Sequence, residues 1–215
     1  MDITYVGHSS FRIRSKLATI VTDPYPSNLG GLKYPKHVSA DVVTVSHDHE
    51  DHAATSQIEG TPYIVRGPGE YEVKGVGIIG FSVFHDDQSG MKRGKNTIYR
   101  LDVDGISIVH LGDLGHKLSS EQLENLDGVD VLLIPVGGIY TIDAADAVQV
   151  IHDIEPSIVI PMHFGRSEFT DQAFKDLSPV SVFMTAMGKE GIPSQPKLTI
   201  TKDKLPEELQ VVVLS

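Results

Sequence analysis

The chain lacks several features that define whole classes of protein. It contains no cysteine, which excludes disulfide bonds, thiolate metal ligands and a cysteine nucleophile. No stretch approaches the roughly 18 consecutive apolar residues of a membrane-spanning helix. The first residues carry neither the basic nor the apolar region of a secretory signal peptide. These absences predict a cytoplasmic protein with no membrane partner.

Positive charge is also scarce. The sequence has 18 Lys and Arg against 29 Asp and Glu, which gives a net charge of −11. Such a surface repels polyanions and does not favour a nucleic-acid partner. A small anionic substrate stays compatible with this charge if a local positive centre captures it. The composition leaves the oligomeric state open.

The 215 residues, of which 40% are hydrophobic, suffice for a buried core. No repeat, low-complexity tract or linker divides the chain, so we predict a single domain over residues 1–215. Short apolar runs predict strands at 3–6, 11–14, 18–21, 41–46, 63–65, 78–84, 96–103 and 106–111. Further on, helices are predicted at 119–126, 143–154 and 171–177, and strands at 129–135, 157–161, 180–184, 197–200 and 210–214. This order predicts sheets with helices outside them.

One hexapeptide, His47-Asp48-His49-Glu50-Asp51-His52, follows the predicted strand 41–46 directly. Residues two apart in an extended segment point to the same side, so His47 and His49 can share one metal. A turn would aim Asp51 and His52 at a second metal. In a chain of this composition the pattern His-x-His-x-Asp-His is expected by chance roughly 0.002 times. The alternative is a solvated polar loop, which rarely collects three histidines.

Three more potential ligands follow the ends of predicted apolar strands. They are His85, Asp113 and His163. Each alone is more often a structural residue than a ligand. Together with the hexapeptide they indicate one metal centre, whose imidazole and carboxylate donors suit zinc, manganese or iron better than magnesium or calcium.

The motifs resemble those of the metallo-β-lactamase superfamily of metal-dependent hydrolases. Those that carry the resemblance are His47-x-His49-x-Asp51-His52, His85, Gly112-Asp113 and Pro161-Met162-His163-Phe164. Three flanking motifs are similar to a branch that contains L-ascorbate-6-phosphate-lactonase-like proteins: Val6-Gly7-His8-Ser9-Ser10-Phe11, Thr22-Asp23-Pro24 and Leu133-Ile134-Pro135-Val136-Gly137-Gly138. The implied fold is α/β, a four-layer αββα sandwich with its site at one edge of the two sheets.

The resemblance also implies a ligand set for two divalent metal ions, zinc first, with manganese or iron as alternatives. His47, His49 and His85 would hold the first metal, Asp51, His52 and His163 the second, and Asp113 would bridge them. One departure is Leu114, where many relatives have Thr or Ser after the Gly-Asp pair. Another is the length of the chain, which is too short for the insert domain of RNA-processing relatives.

Several other residues are candidates for contacts around this centre. His8 would line the site as a ligand-supporting or substrate-contacting group, and Asp23 would orient a ligand histidine through its ring N–H. His116 would donate a proton to a leaving group. A basic cluster, Lys92, Arg93 and Lys95, would capture an anionic group of the substrate. The alternatives are a turn residue for His8, an Asx-turn for Asp23, an exposed loop histidine for His116 and a solvated loop for the cluster.

The sequence therefore predicts a metal-dependent hydrolase that uses a metal-bound hydroxide on a small ester, lactone or phosphodiester. Asp51 would both ligate metal and orient the hydroxide. Two alternatives remain: a metal-binding regulatory or scaffold protein with incidental hydrolysis, and a nucleic-acid-processing hydrolase, against which the net charge counts.

Overall fold

The structure is a computed structural model that describes all residues 1–215. It contains seventeen strands, four α-helices and two 3-10 helices. The strands are β1 (Asp2–Gly7), β2 (Ser10–Arg14), β3 (Thr19–Thr22), β4 (Asn28–Leu29), β5 (Leu32–Lys33), β6 (Val38–Ser39), β7 (Val42–Val45), β8 (Ile58–Glu59), β9 (Tyr63–Arg66), β10 (Gly69–Val73), β11 (Val76–Phe84), β12 (Lys95–Val103), β13 (Ile106–His110), β14 (Val131–Pro135), β15 (Ile158–Met162), β16 (Leu198–Thr199) and β17 (Gln210–Val211). The α-helices are α1 (Ser120–Glu124), α2 (Ala144–Ile154), α3 (Gln172–Lys175) and α4 (Val180–Ala186), and the 3-10 helices are Thr55–Gln57 and Lys202–Lys204.

Two large sheets contain most of the strands. The first has the order β16-β1-β2-β3-β7-β9 and the second β10-β11-β12-β13-β14-β15-β17. Strands β13, β14 and β15 are parallel neighbours. Parallel pairing requires crossover connections, and α1 and α2 supply them. The predicted mixed α/β fold class is confirmed.

The core lies between the two sheets. Inward residues of the first sheet, such as Ile3 and Ile20, form one apolar cluster with Ile98 and Leu101 of the second. On β3 the next residue, Val21, points to the opposite face and belongs to a second apolar cluster that includes short strands and turns of residues 25–58. Both faces of the first sheet are therefore covered, which explains why β3 and β7 are apolar at successive positions.

Three of the four α-helices, α1, α2 and α3, begin within one residue of their predicted starts. Ser119 caps α1 in a capping box with Gln122. Asp143 caps α2, which buries one apolar stripe that includes Val150 and Ile154. None of the helices has the length and apolar composition needed to span a bilayer.

The strand predicted at 180–184 is wrong, because these residues form the helix α4. Its β-branched valines favour a strand locally. However, Val180, Phe183, Met184 and Met187 all pack on the main core, and their spacing is that of one helical face. Tertiary packing outweighs local propensity here. The short strands β4, β5, β6, β8 and β10 were not predicted either.

Candidate metal centre

Polar side chains from both sheets meet at one edge of the fold. Six of these residues follow strands within one to three positions: His8 after β1, Asp23 after β3, His47 after β7, His85 after β11, Asp113 after β13 and His163 after β15. Three of these strands belong to each sheet. The structure therefore brings the predicted ligands together where the strand ends converge.

The candidate ligand atoms form two clusters, each with atoms within 4.8 Å of one another, and a third group, Asp23, His47 and His52, links the two. The first consists of His47, His49 and His85. The second consists of Asp51, His52 and His163, joined by His8. This grouping agrees with the two ligand sets that the resemblance implies, with His8 as an addition.

Asp113 lies between the two clusters. Its Oδ2 atom is 3.2 Å from Nε2 of His85 in the first cluster. The same oxygen is 3.3 Å from Nε2 of His52 and 3.1 Å from Nε2 of His163 in the second. One carboxylate oxygen thus faces imidazoles of both clusters, which is the position expected of a bridging ligand.

The position of Asp113 depends on its neighbours. Gly112 has a φ of 55°, and a Cβ atom there would lie 2.3 Å from Oδ1 of Asn96, so only glycine fits. The same Asn96 oxygen accepts a hydrogen bond from the Asp113 N–H at 3.1 Å. The Asn96 amide also donates to the Leu111 carbonyl at 2.8 Å. Strand β12 thereby holds the loop that presents the carboxylate.

Asp23 is buried behind the ligands and contacts both clusters. Nδ1 of His52 donates to its Oδ2 atom at 2.9 Å. The Ser46 hydroxyl donates to the same oxygen at 2.5 Å and accepts a hydrogen bond from Nδ1 of His47 at 2.9 Å. In both histidines the Nδ1 proton is therefore fixed and Nε2 is directed at the site. This is the orienting contact predicted for Asp23.

His8 contacts the second cluster directly. Its Nε2 atom donates to Oδ2 of Asp51 at 3.0 Å. The carbonyl of His8 accepts hydrogen bonds from Tyr5 Oη at 2.7 Å and from the backbone N–H of His163 at 2.8 Å. His8, Asp23 and His163 have φ values of 54°, 38° and 52°, a left-handed conformation that costs a non-glycine residue roughly 1 kcal/mol.

The residues present fit metal ions. Several buried polar atoms have no hydrogen-bond partner, among them Nε2 of His52 and Oδ1 of Asp113. An unsatisfied buried polar atom costs about 1–3 kcal/mol, and metal coordination would remove that cost. The donors are imidazole nitrogens and carboxylate oxygens only, a set that suits zinc, manganese or iron.

The histidines of the site differ in the direction in which their surroundings shift the pKa. Burial and the nearby His52 lower the pKa of His47 to about 3, and burial and the nearby His163 lower the pKa of His8 to about 4. Burial alone would lower the pKa of His52, but the carboxylates of Asp113 and Asp51 raise it well above its ordinary value. At neutral pH His47 and His8 are therefore neutral, the protonation state that a metal ligand requires.

The catalytic role predicted for His116 does not fit its position. Its Nε2 atom accepts a hydrogen bond from the backbone N–H of Phe84 at 3.2 Å, and Nδ1 donates to the Lys117 carbonyl at 2.7 Å. Both ring nitrogens serve the backbone. His116 also lines neither of the cavities at the metal centre. It is a structural residue of the loop after Asp113.

The basic cluster is part of an ordered loop. Asp86 accepts backbone hydrogen bonds from Gln88, Gly90, Lys92 and Arg93 at 2.7–2.9 Å. Burial raises the pKa of Asp86, but these four N–H groups outweigh it and lower the pKa to about 2. The carboxylate is thus a permanent anchor for the loop.

The three cations of the cluster are placed differently. Nη2 of Arg93 donates to the Ile139 carbonyl at 3.0 Å, and its guanidinium lies 5.4 Å from the ring centre of Tyr140. Arg93 and Lys95 line cavities at the site, whereas Lys92 is exposed and lines neither. The predicted contact with substrate is therefore compatible with Arg93 and Lys95 but not with Lys92.

Two open cavities of 430 and 520 Å³ adjoin the clusters. Their walls include Ser46, Arg66, Tyr140 and Phe174, none of which the sequence singled out. No motif marks these residues, since chain folding alone brings them to the site. The position of Ser46 directly before the hexapeptide is the one local signal that could have identified it.

Comparison with known proteins gives consistent results. A family model described as a beta-lactamase superfamily domain matches residues 2–163. A UPF0173 metal-dependent hydrolase from Opitutus terrae is 30% identical over an alignment of length 196 that covers 78% of this chain and 86% of the relative. A candidate Zn-dependent hydrolase of the metallo-β-lactamase superfamily from Thermotoga maritima is 35% identical, with a TM-score of 0.80 over 99% of this chain and 97% of its own. A metallo hydrolase from Ignicoccus hospitalis is 20% identical, with a TM-score of 0.63 over 93% of this chain and 99% of its own, and shares the fold.

Proposed function

The chain belongs to the metallo-β-lactamase superfamily and, within it, to the UPF0173 family of metal-dependent hydrolases, and from that premise we propose that it hydrolyses a small ester with two metal ions. The observation that carries the proposal is the position of Asp113. Its Oδ2 atom lies within 3.1–3.3 Å of imidazoles of both clusters. A carboxylate in that position would be within reach of a metal ion at either cluster.

The two clusters support an assignment of the ligands. His47, His49 and His85 would bind one ion, and Asp51, His52 and His163 the other. Asp113, whose Oδ2 atom faces both clusters, would bind both. When bound, such metals act as Lewis acids and lower the pKa of coordinated water toward neutrality. Zinc is the first candidate for this nitrogen-rich set, with manganese and iron as alternatives.

The side chains contribute orientation and charge. Burial raises the pKa of Asp51, but His52 and His8 outweigh it and lower the pKa far below its ordinary value. Asp51 is therefore ionised at neutral pH and able to accept a hydrogen bond from the attacking water. His8 donates to one of its oxygens and fixes the direction in which the carboxylate points.

The proposed substrates are small molecules, including anionic ones. The cavities have the volume of typical small-molecule sites, about 300–1,000 Å³. Lactones come first among them because the flanking motifs resemble the L-ascorbate-6-phosphate-lactonase-like branch. Other carboxylic esters and phosphodiesters follow.

The test combines metal analysis with turnover. The zinc-loaded protein should contain about two ions per chain and hydrolyse generic lactones or bis-aryl phosphates, with activity lost in chelator. His49→Ala should abolish turnover and leave a folded protein with about one ion. His37→Ala is the matched control, because His37 is exposed and bonds only to Glu59. A fully active His49→Ala variant, or loaded protein without transition metal, would contradict the proposal.

A further inference from the structure

The two cavities at the metal centre have different walls. The 430 Å³ cavity, here called the polar cavity, has one apolar residue, Val45, and three cations, Arg66, Arg93 and Lys95. The 520 Å³ cavity, here called the reaction cavity, contains five of the candidate ligands: His49, Asp51, His85, Asp113 and His163. The reacting bond of a substrate must therefore lie in the reaction cavity.

Two of the three cations in the polar cavity are free to bind an anion. Arg66 is paired with Asp48 at 2.6 Å, which also lines this cavity. Lys95 has no side-chain hydrogen bond or ion pair, and Arg93 bonds only to a backbone carbonyl and lies over Tyr140. On a protein with net charge −11, two uncompensated cations in one cavity create a local positive potential.

Arg93 stands where the cavities meet, since it and His49 line both of them. Its guanidinium is held by the Ile139 carbonyl and the Tyr140 ring. Little side-chain entropy is left to lose when it binds an anion. A substrate with its anionic group beside Arg93 and Lys95 could therefore extend directly into the reaction cavity and place its next group at the metal ligands.

Another part of the wall of the reaction cavity is apolar. It includes Leu29, Tyr140 and Phe174. Phe174 stacks on Phe169 with ring centres 5.0 Å apart, and the Tyr140 hydroxyl donates to the Ala173 carbonyl at 3.0 Å. These contacts fix two partly exposed aromatic faces, which offer a rigid surface for an apolar group.

We propose that the site selects a substrate of two parts: a carboxylate or phosphate held by Arg93 and Lys95 in the polar cavity, and an apolar group against Phe174 and Leu29. The hydrolysed bond lies between the two. This inference rests on the proposed function for its reaction, but its recognition elements can be tested by binding alone.

The first experiment tests the anion site by calorimetry on the full-length zinc-loaded protein. The probes are hexyl phosphate, hexanoate and neutral hexanol. Lys95→Met should lower the affinity for whichever anion the wild type binds more tightly by about fivefold. The affinity for hexanol should not change. Lys92→Met is the matched control, because it removes the same charge three residues before Lys95 and outside both cavities. The affinity of this variant for the anion should equal that of the wild type. Any direct binding of the probe to zinc is common to all three proteins.

The second experiment tests the apolar wall. Phe174→Ala should weaken hexyl phosphate about tenfold and leave methyl phosphate unchanged, because only the longer chain reaches the ring. Whichever of hexyl phosphate and hexanoate binds the wild type more tightly shows whether the site prefers a phosphate or a carboxylate. Thermal melting of each variant confirms that it is folded.

Two results would overturn the inference. Equal weakening by Lys95→Met and Lys92→Met would show a general charge effect, and equal weakening of both alkyl phosphates in Phe174→Ala would remove the apolar site. Failure of the proposed function looks different. In that case the loaded wild type hydrolyses no ester, while the binding differences between variants persist.

Discussion

The two ligand clusters differ in how firmly the protein holds them. In the first, His49 is exposed, and its ring lies against two other ligand imidazoles: Nδ1 is 3.1 Å from Nε2 of His47, and the ring centre is 5.0 Å from that of His85. In the second, His52 is buried and bonded to Asp23, and Asp51 is bonded to His8. The second cluster is therefore preorganised, and the first is open to solvent and to substrate. We expect the second to bind metal more tightly and the first to exchange it.

The largest effect is expected from a substitution that damages both clusters at once. Asp113→Asn keeps the shape of the side chain but removes the charge that both clusters share. We expect kcat/KM to fall at least about 10³-fold, or about 4 kcal/mol, and metal content to fall below two ions per chain. Plasma emission spectrometry and steady-state kinetics on the loaded variant measure both quantities. Unchanged metal content would show that Asp113 bridges nothing.

A smaller change separates the clusters. Ser46→Ala removes the hydroxyl that accepts from Nδ1 of His47 and donates to Asp23, whereas the direct bond between Asp23 and His52 stays. It should therefore weaken the first cluster about tenfold. Asp23→Asn alters the partners of both His52 and Ser46 and should weaken both clusters, by about 10–100-fold in metal affinity. Titration against a competing chelator resolves the two affinities. Equal losses at both clusters in Ser46→Ala would contradict this division.

The pH dependence of the metal-free protein sharpens the comparison further. Unfolded histidine binds a proton below about pH 6.5, whereas His47 and His8 in the folded protein stay neutral until about pH 3 and 4. The unfolded state therefore binds more protons between pH 6.5 and 4, and stability must fall as pH falls through that window. His52, with its raised pKa, is protonated in the folded state throughout this window. It opposes the fall near pH 6.5, where the unfolded histidine is only about half protonated, and adds no slope once the unfolded histidine is also protonated at lower pH.

Urea unfolding in chelator at pH 6.5, 5.5 and 4.5 checks this expectation. A flat profile would mean that the buried imidazoles are already protonated in the folded state. Metal-loaded protein should show a steeper loss, since protons also displace the metal from the same nitrogens.

The smallest expected effect lies outside both clusters. His116→Ala should leave kcat/KM within about twofold, because the ring bonds only to backbone groups. Loss of those bonds should cost about 1 kcal/mol of stability, seen as a lower Tm. A large fall in kcat with unchanged Tm would restore a catalytic role.

The sequence predicts the metal centre better than the substrate cavities, for a physical reason. Four of the candidate ligands are neighbours in one hexapeptide, and the others follow apolar strands, so local pattern marks them all. Arg66 and Phe174, by contrast, carry no local signal and reach the site only through folding. The wrong strand at 180–184 has the same origin, since the packing of Phe183 and Met184 on the core is invisible in a five-residue window.

The left-handed backbone at His8, Asp23 and His163 has an evolutionary consequence. At each position glycine would relieve roughly 1 kcal/mol of backbone strain and would remove a buried group that the site uses. Selection for the chemistry of the site therefore holds these side chains in place against that strain. Homologues that have lost the activity should drift to glycine or asparagine here first, while their apolar strands stay intact.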